Sequence, residues 1–344
     1  MSRNLFPLSV TAALMTGTAM ADVPRVAVDI APVHSLVAHV MAGIGEPSLI
    51  VPPGATPHEH SLRPSEASAL QDANLVFWIG EDLTPWMAGA IETLADQADV
   101  TTLLEAEGVT LLGFREDALF EAHPHDQDEH EHEEHAEAEG HDHDQDHAHG
   151  DDHAHGHDHE EHAEDHDHDH AHDHGAHDPH AWLSPDNAAV WLDVIAAELS
   201  SADPENAGAY FANAARAKDE LEAVSAEVNE TLEPVRGLRF VVFHDAYQYF
   251  ETAFDLPASG AISLSDATDP SPARIAEIQE RVAEEGIDCV LAEPQFDPGI
   301  VATVMDGTDA RTAVLDPLGS DLEPGPDLYP QLLRNLAGSL AGCL

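Results

Sequence analysis

The chain has 344 residues, with 12 Lys and Arg against 67 Asp and Glu, 26 His, and a formal charge of −55. A charge so negative repels nucleic-acid phosphates and anionic lipid headgroups, so neither is an expected partner. It attracts cations instead, and imidazole is the commonest protein ligand for zinc-like metals. With 43% hydrophobic residues the chain can still bury one or two cores, and its length predicts two domains.

Residues 1–21 have the pattern of a secretory signal. Arg3 supplies the positive end, Leu5 to Met15 the apolar stretch, and Ala19-Met20-Ala21 a small-x-small cleavage site. The stretch is too short and too interrupted to span a bilayer. The expected mature protein begins near Asp22, outside the cytoplasm, with no Cys just after the cleavage site to carry a lipid.

An N-terminal α/β lobe is predicted over 22–200. Arg25–Ile30 is a short β-like run, Pro32–Met41 a helical pattern, and Ser48–Val51 a second apolar run ending in the loop Pro52-Pro53-Gly54. Pro64-Ser65-Glu66 opens a short helix, proline being well suited to the first turn. Leu75–Gly80 is a continuous apolar run of the kind found in strands buried on both faces. Such alternation predicts a largely parallel sheet.

A tract interrupts this lobe. The 58 residues from Glu121 to Asp178 hold 20 His and 23 Asp and Glu, with no Lys or Arg. The stretch 122–177 has almost no large apolar side chain to offset its ordering entropy, so a disordered inserted loop is expected when metal is absent. Its many alternative two- or three-ligand arrangements predict several weak zinc sites.

Ser184-Pro185-Asp186 restarts helix, with Ser184 as N-cap. A linking helix is expected within 201–236. From Pro204 to Leu232 it would run roughly 35–40 Å, long enough to join two lobes. A C-terminal α/β lobe over 237–344 follows, with strand-like runs at Phe240–Phe243, Cys289–Ala292 and Thr312–Leu315, and helical patterns at Tyr247–Phe254 and Ser271–Glu285. Cys289 and Cys343 are the only cysteines. In an oxidising compartment such a pair is most simply a disulfide, credited by loop-entropy models with roughly 4 kcal/mol.

Six histidines lie outside the tract: His34, His39, His58, His60, His180 and His244. Ligands of open α/β sheets bind beyond the carboxyl ends of strands. His58 and His244 follow strand-like runs, and His180 stands where the tract gives way to ordered sequence. Three imidazoles with a water or carboxylate make a tetrahedral site suited to Zn²⁺. The spacing itself matches no local zinc signature. His34 and His39 sit in a helical pattern and are packing or surface residues, while Glu59 and His60 have the character of exposed loop positions.

Five segments carry a resemblance. Gly54-Ala55-Thr56-Pro57-His58-Glu59-His60-Ser61-Leu62-Arg63-Pro64-Ser65, Pro179-His180-Ala181-Trp182-Leu183-Ser184-Pro185 and Val242-Phe243-His244-Asp245-Ala246-Tyr247-Gln248-Tyr249-Phe250 come first. Ala292-Glu293-Pro294-Gln295-Phe296 and Leu315-Asp316-Pro317-Leu318-Gly319 follow. In this order they resemble the metal-binding proteins of ABC importers, specifically the periplasmic zinc-uptake (ZnuA-like) type. The resemblance covers nearly the whole mature chain, and the tract resembles that family's His/Asp-rich loop.

It implies Zn²⁺ held by His58, His180 and His244 between two lobes joined by a long helix, together with the Cys289–Cys343 bridge. Some zinc-uptake relatives carry Glu just before the first ligand, where this chain has Pro57. Manganese and iron relatives use an Asp near Asp316, whose role here is fourth ligand, acceptor behind a ligand, or structural; a water is the other candidate for the fourth position. The function implied is capture of zinc in the periplasm by a monomer and delivery to an inner-membrane ABC permease and its ATPase, alongside other periplasmic zinc carriers, with no catalysis. The competing readings are a zinc buffer or chaperone acting mainly through the tract, and a zinc enzyme; against the enzyme, no HExxH motif is present.

Overall fold

The computed structural model describes residues 23–115, 177–263 and 270–343. The expected signal at 1–21 lies outside them, as does the tract at 122–177 apart from His177.

In the first half, β1 (Val26–Val28), α1 (Ala31–Val40), β2 (Ser48–Leu49), α2 (Pro64–Asp72), β3 (Leu75–Trp78), α3 (Pro85–Leu94) and β4 (Asp99–Thr102) alternate along the chain. The four strands are all parallel, in the order β2-β1-β3-β4, with Val26 opposite Leu75 and Leu75 opposite Asp99. Two-residue side-chain alternation splits the apolar strands between two cores. Ala27, Val76 and Trp78 pack with Leu70, Met87 and Ile91 of α2 and α3. Val26, Val28, Leu75 and Phe77 face the opposite way, into a larger core.

After a 3-10 turn at Ala181–Leu183 come α4 (Pro185–Ala202) and α5 (Ala207–Leu232). Ser184 caps α4, its Oγ accepting from Asn187 N at 3.3 Å. Between the two helices Asp203 accepts from Asn206 and from the Tyr210 hydroxyl, at 2.7 and 3.0 Å, so α5 starts three residues beyond Pro204. Its 26 residues bury Tyr210, Ala214, Ala217, Leu221, Val224, Val228 and Leu232, an apolar stripe at helical spacing, together with Asn213, which donates to Val40 O.

The second half repeats the pattern with β5 (Phe240–His244), α6 (Gln248–Phe254), β6 (Gly260–Ser263), α7 (Pro272–Glu284), β7 (Cys289–Ala292), α8 (Pro298–Met305), β8 (Arg311–Val314) and α9 (Leu328–Ala341). Its sheet is again all parallel, in the order β6-β5-β7-β8. Val241, Phe243, Ile262 and Val290 pack with Ile278, Val282, Val301 and Val304 of α7 and α8. Phe240, Val242, Ala261 and Leu291 enter the same larger core as the first sheet, where α1, α4, α5 and α9 lie. The fold class predicted from sequence, two parallel α/β sheets with helices, is therefore the one observed. Cys289 and Cys343 form a disulfide with Cα atoms 5.9 Å apart, tying the start of β7 to the end of α9. Among the described residues no helix is long and apolar enough to cross a membrane.

Candidate metal centre

His58 stands in the loop after β2. Gly54, at φ +80°, makes a turn that a side chain would strain. Beyond it His58 N donates to Thr56 Oγ1 at 3.3 Å, and Trp86 Nε1 of α3 donates to Pro57 O at 2.7 Å. The ring is thus presented by a loop buttressed from α3. His180 opens the 3-10 turn, and Asp178 Oδ1 lies 3.0 Å from its N and 2.7 Å from its Nδ1. His244 ends β5, with Glu293 Oε1, just past β7, 3.1 Å from its N and 2.8 Å from its Nδ1. A carboxylate on Nδ1 keeps the ring proton there and leaves the lone pair on Nε2.

The three rings come from segments far apart in sequence and line one cleft with Thr56, Trp182, Phe296 and Leu318. The ring centres of His58 and His180 are 5.7 Å apart, those of His180 and His244 5.3 Å. Zinc at about 2.0–2.1 Å from an imidazole nitrogen sits about 3.2 Å from the ring centre, and tetrahedral geometry then separates two such centres by about 5 Å. The observed separations are close to that figure. Among the described residues no group of three His, Cys, Asp or Glu already surrounds a single point.

Burial pushes the Asp178 carboxyl up to about 7, against the pull of the His180 N–H bond and the fields of Arg115, His244 and His58. Asp245 is also raised by burial, with Arg115 opposing. Burial drives the Tyr247 hydroxyl well above its ordinary range, helped by Glu293 and Asp316; it donates to Leu315 O at 3.0 Å.

Asp316 is spent on its own turn. Oδ1 accepts from Leu318 N and Gly319 N at 3.0 and 3.1 Å, and Oδ2 from Ser320 N at 2.6 Å. The turn it organises sends Pro317 and Leu318, rather than the carboxylate, to the cleft wall. The other histidines lie elsewhere. His34 is buried, its Nε2 3.1 Å from Pro47 O, and burial lowers its pKa. His39 Nε2 is 3.9 Å from Glu220. His60, expected to be exposed, has a side chain only 8% exposed. Glu66, which accepts from Arg63 N at the start of α2, also reaches His60 Nε2 at 2.9 Å, and Trp86 packs edge-on against the ring. That commitment draws His60 away from the cleft.

Sequence reasoning did not assign roles to Asp178 and Glu293. Asp178 had a local signal, an acid two residues before a candidate ligand. Glu293 stands in one of the five motifs, just past a strand-like run, but its pairing with His244 had no local signal, since the two meet across 49 residues through the pairing of β5 with β7.

The family model for the periplasmic zinc-uptake complex component A, ZnuA, matches residues 26–343. The chain belongs to the ZnuA family. Relatives named high-affinity zinc uptake system protein ZnuA include one from Brucella abortus (strain 2308), 45% identical over 346 residues and covering 99% of each chain. Another, from Paracoccus denitrificans, is 44% identical over 343 residues and covers 98% of each. A crystal structure titled as that of ZnuA superposes with a TM-score of 0.68 at 20% identity, over 93% of this chain and 99% of that one, which shows a shared fold.

Proposed function

We propose that this chain captures Zn²⁺ in the periplasm and delivers it to an ABC importer, with His58, His180 and His244 as the zinc ligands. The observation that carries this reading is the convergence of three imidazoles on one cleft, two of them with Nδ1 held by a buried carboxylate. Membership of a zinc-uptake family supports the same cargo. Side-chain rotation brings the three Nε2 atoms to one ion, and a water completes the tetrahedron, since Asp316 faces the N–H groups of residues 318–320 and does not line the cleft. Three neutral imidazoles favour Zn²⁺ over Mn²⁺, which prefers oxygen donors. Binding makes and breaks no covalent bond in a substrate. Each imidazole must be unprotonated to bind, so affinity falls as pH falls.

In this reading residues 22–200 and 237–344 are the lobes, with the linker helix within 201–236. Residues 1–21 direct export, and the tract at 122–177 collects zinc weakly. The partners are an inner-membrane permease and its ATPase, met by a monomer. Calorimetric zinc titration of the mature protein tests the assignment. One tight event is expected, surviving deletion of 122–177 and lost in the triple variant H58A/H180A/H244A. A tight event that persists in the triple variant of the deleted protein overturns the ligand set, and one that disappears with the tract alone favours the buffer reading.

A further inference from the structure

The segment leading to Arg115 is bound on two sides. On one side Thr110 exchanges hydrogen bonds with Asn187 of α4, N to Oδ1 at 2.8 Å and Nδ2 to O at 3.0 Å. On the other it meets the second half. Leu112 N donates to the Tyr249 hydroxyl at 3.0 Å, and that hydroxyl donates to Asp178 O at 2.9 Å. Asp178 N closes the triangle on Leu112 O at 2.9 Å. Three residues on, the Arg115 guanidinium forks across two acids. Its Nε lies 3.0 Å from both Asp245 oxygens, its Nη1 and Nη2 reach Glu251 at 2.8 and 2.9 Å, and Nη2 also contacts Asp245. All three side chains are largely withdrawn from water, at 17%, 7% and 6% exposure. Glu251 is further fixed by accepting from Ala258 N at 3.0 Å.

Two of the residues that hold this segment, Asp245 and Asp178, also adjoin candidate ligands. Asp245 follows His244 in the chain. Asp178, whose backbone is held by Leu112 and Tyr249, bonds His180 Nδ1. Residues 112–115 are thus linked, through Asp178 and Asp245, to both imidazoles whose ring centres stand 5.3 Å apart. A bidentate guanidinium suits such a task, since its rigid fork fixes two carboxylates in one plane, whereas an ammonium is a point charge.

We propose that Arg115 is a positioning residue for the metal cleft: its fork on Asp245 and Glu251, together with the Tyr249 bonds to Leu112 and Asp178, holds His180 and His244 at chelating separation and slows release of bound zinc. The proposal rests on the zinc reading above. Arg115 touches no metal; it acts through the residues beside the ligands.

The test uses the full mature chain loaded with one equivalent of Zn²⁺, with release followed by stopped flow into excess chelator. Metal-free thermal midpoints and the visible spectrum of the Co²⁺-substituted protein are recorded in parallel. R115A is expected to release zinc about tenfold faster, in line with the loss of an outer partner of a ligand. Its Co²⁺ band should keep a tetrahedral shape, with R115K between R115A and wild type. R115A/D245N should release no faster than R115A, because both changes undo one clasp. D29N, a buried change in the first sheet at a side chain bonded to Ile30 N and Ile79 N, should lower the midpoint and leave the release rate alone.

Wild-type release from R115A overturns the proposal. So does equal acceleration by D29N, which reduces the effect to general stability, or additive acceleration in the double variant. If R115A does not fold, R115K decides, and wild-type release in it overturns the proposal. A wild-type protein with no tight zinc event overturns the zinc reading itself, before any variant is compared, and the clasp falls with it.

Discussion

The two sheets carry the same strand order, and the carboxyl end of the leading strand in each is used differently. Past β1 stands Asp29, fully buried, its Oδ1 accepting from Ile30 N at 2.7 Å and its Oδ2 from Ile79 N, just beyond β3, at 2.6 Å. At the end of β5 stands His244, which reaches Glu293 just beyond β7. Both side chains stitch the first strand of a half to the third. Asp29 is fully buried and turns both oxygens to backbone N–H groups. His244 uses one nitrogen and turns the rest of its ring to the cleft. The topology supplies the position, and the residue there decides whether it is only a brace or also faces the cleft, where the zinc reading above places the site.

This contrast can be broken at four points. The largest effect is expected from H244A, which should weaken zinc binding about 100- to 1,000-fold, its share of a binding free energy on the order of 10 kcal/mol or more spread over four positions. Competition against a chromophoric chelator measures this, and near-wild-type affinity would return His244 to a purely structural role. Next comes the disulfide, present only in the second half among the described residues. C289A/C343A should lose about 2–4 kcal/mol in urea unfolding while zinc affinity holds; an unchanged midpoint would mean that the bridge adds nothing. E293A should cost about 10- to 100-fold in zinc affinity, with E293Q costing less because an acceptor oxygen remains. Equal losses in the two variants would count against orientation as the mechanism. The smallest effect belongs to D29N, which sets an amide N–H₂ against a backbone N–H and should lose about 1–2 kcal/mol of stability with zinc affinity intact. A loss of zinc binding there would erase the distinction between brace and site.

Much of the fold was legible in the chain, and the gaps have physical causes. The buried strands β3 and β5 announce themselves as unbroken apolar runs, because both of their faces are covered. β4, Asp-Val-Thr-Thr, is a half-exposed edge strand and has no such signature. His58, His180 and His244 are marked by their places beyond strand-like runs and at the end of the His-rich tract. Glu293 is invisible as a partner until β5 and β7 are paired. His60 follows the same rule in reverse, since only Glu66 and Trp86, brought in by α2 and α3, take it off the surface. Asp316 lies in a recognisable motif, yet its occupation follows from where the backbone of residues 318–320 turns.

The stripe along α5 has a thermodynamic consequence. Tyr210, Ala217, Val224 and Leu232 belong to one continuous core that also holds Val28 and Phe77 of the first sheet and Val242 and Leu291 of the second. Opening either half strips one side of that helix and exposes apolar surface that the other half needs covered. The two sheets should therefore melt together, in a single cooperative transition. Amide protons in β3 and β5 should exchange with the same opening free energy, that of global unfolding.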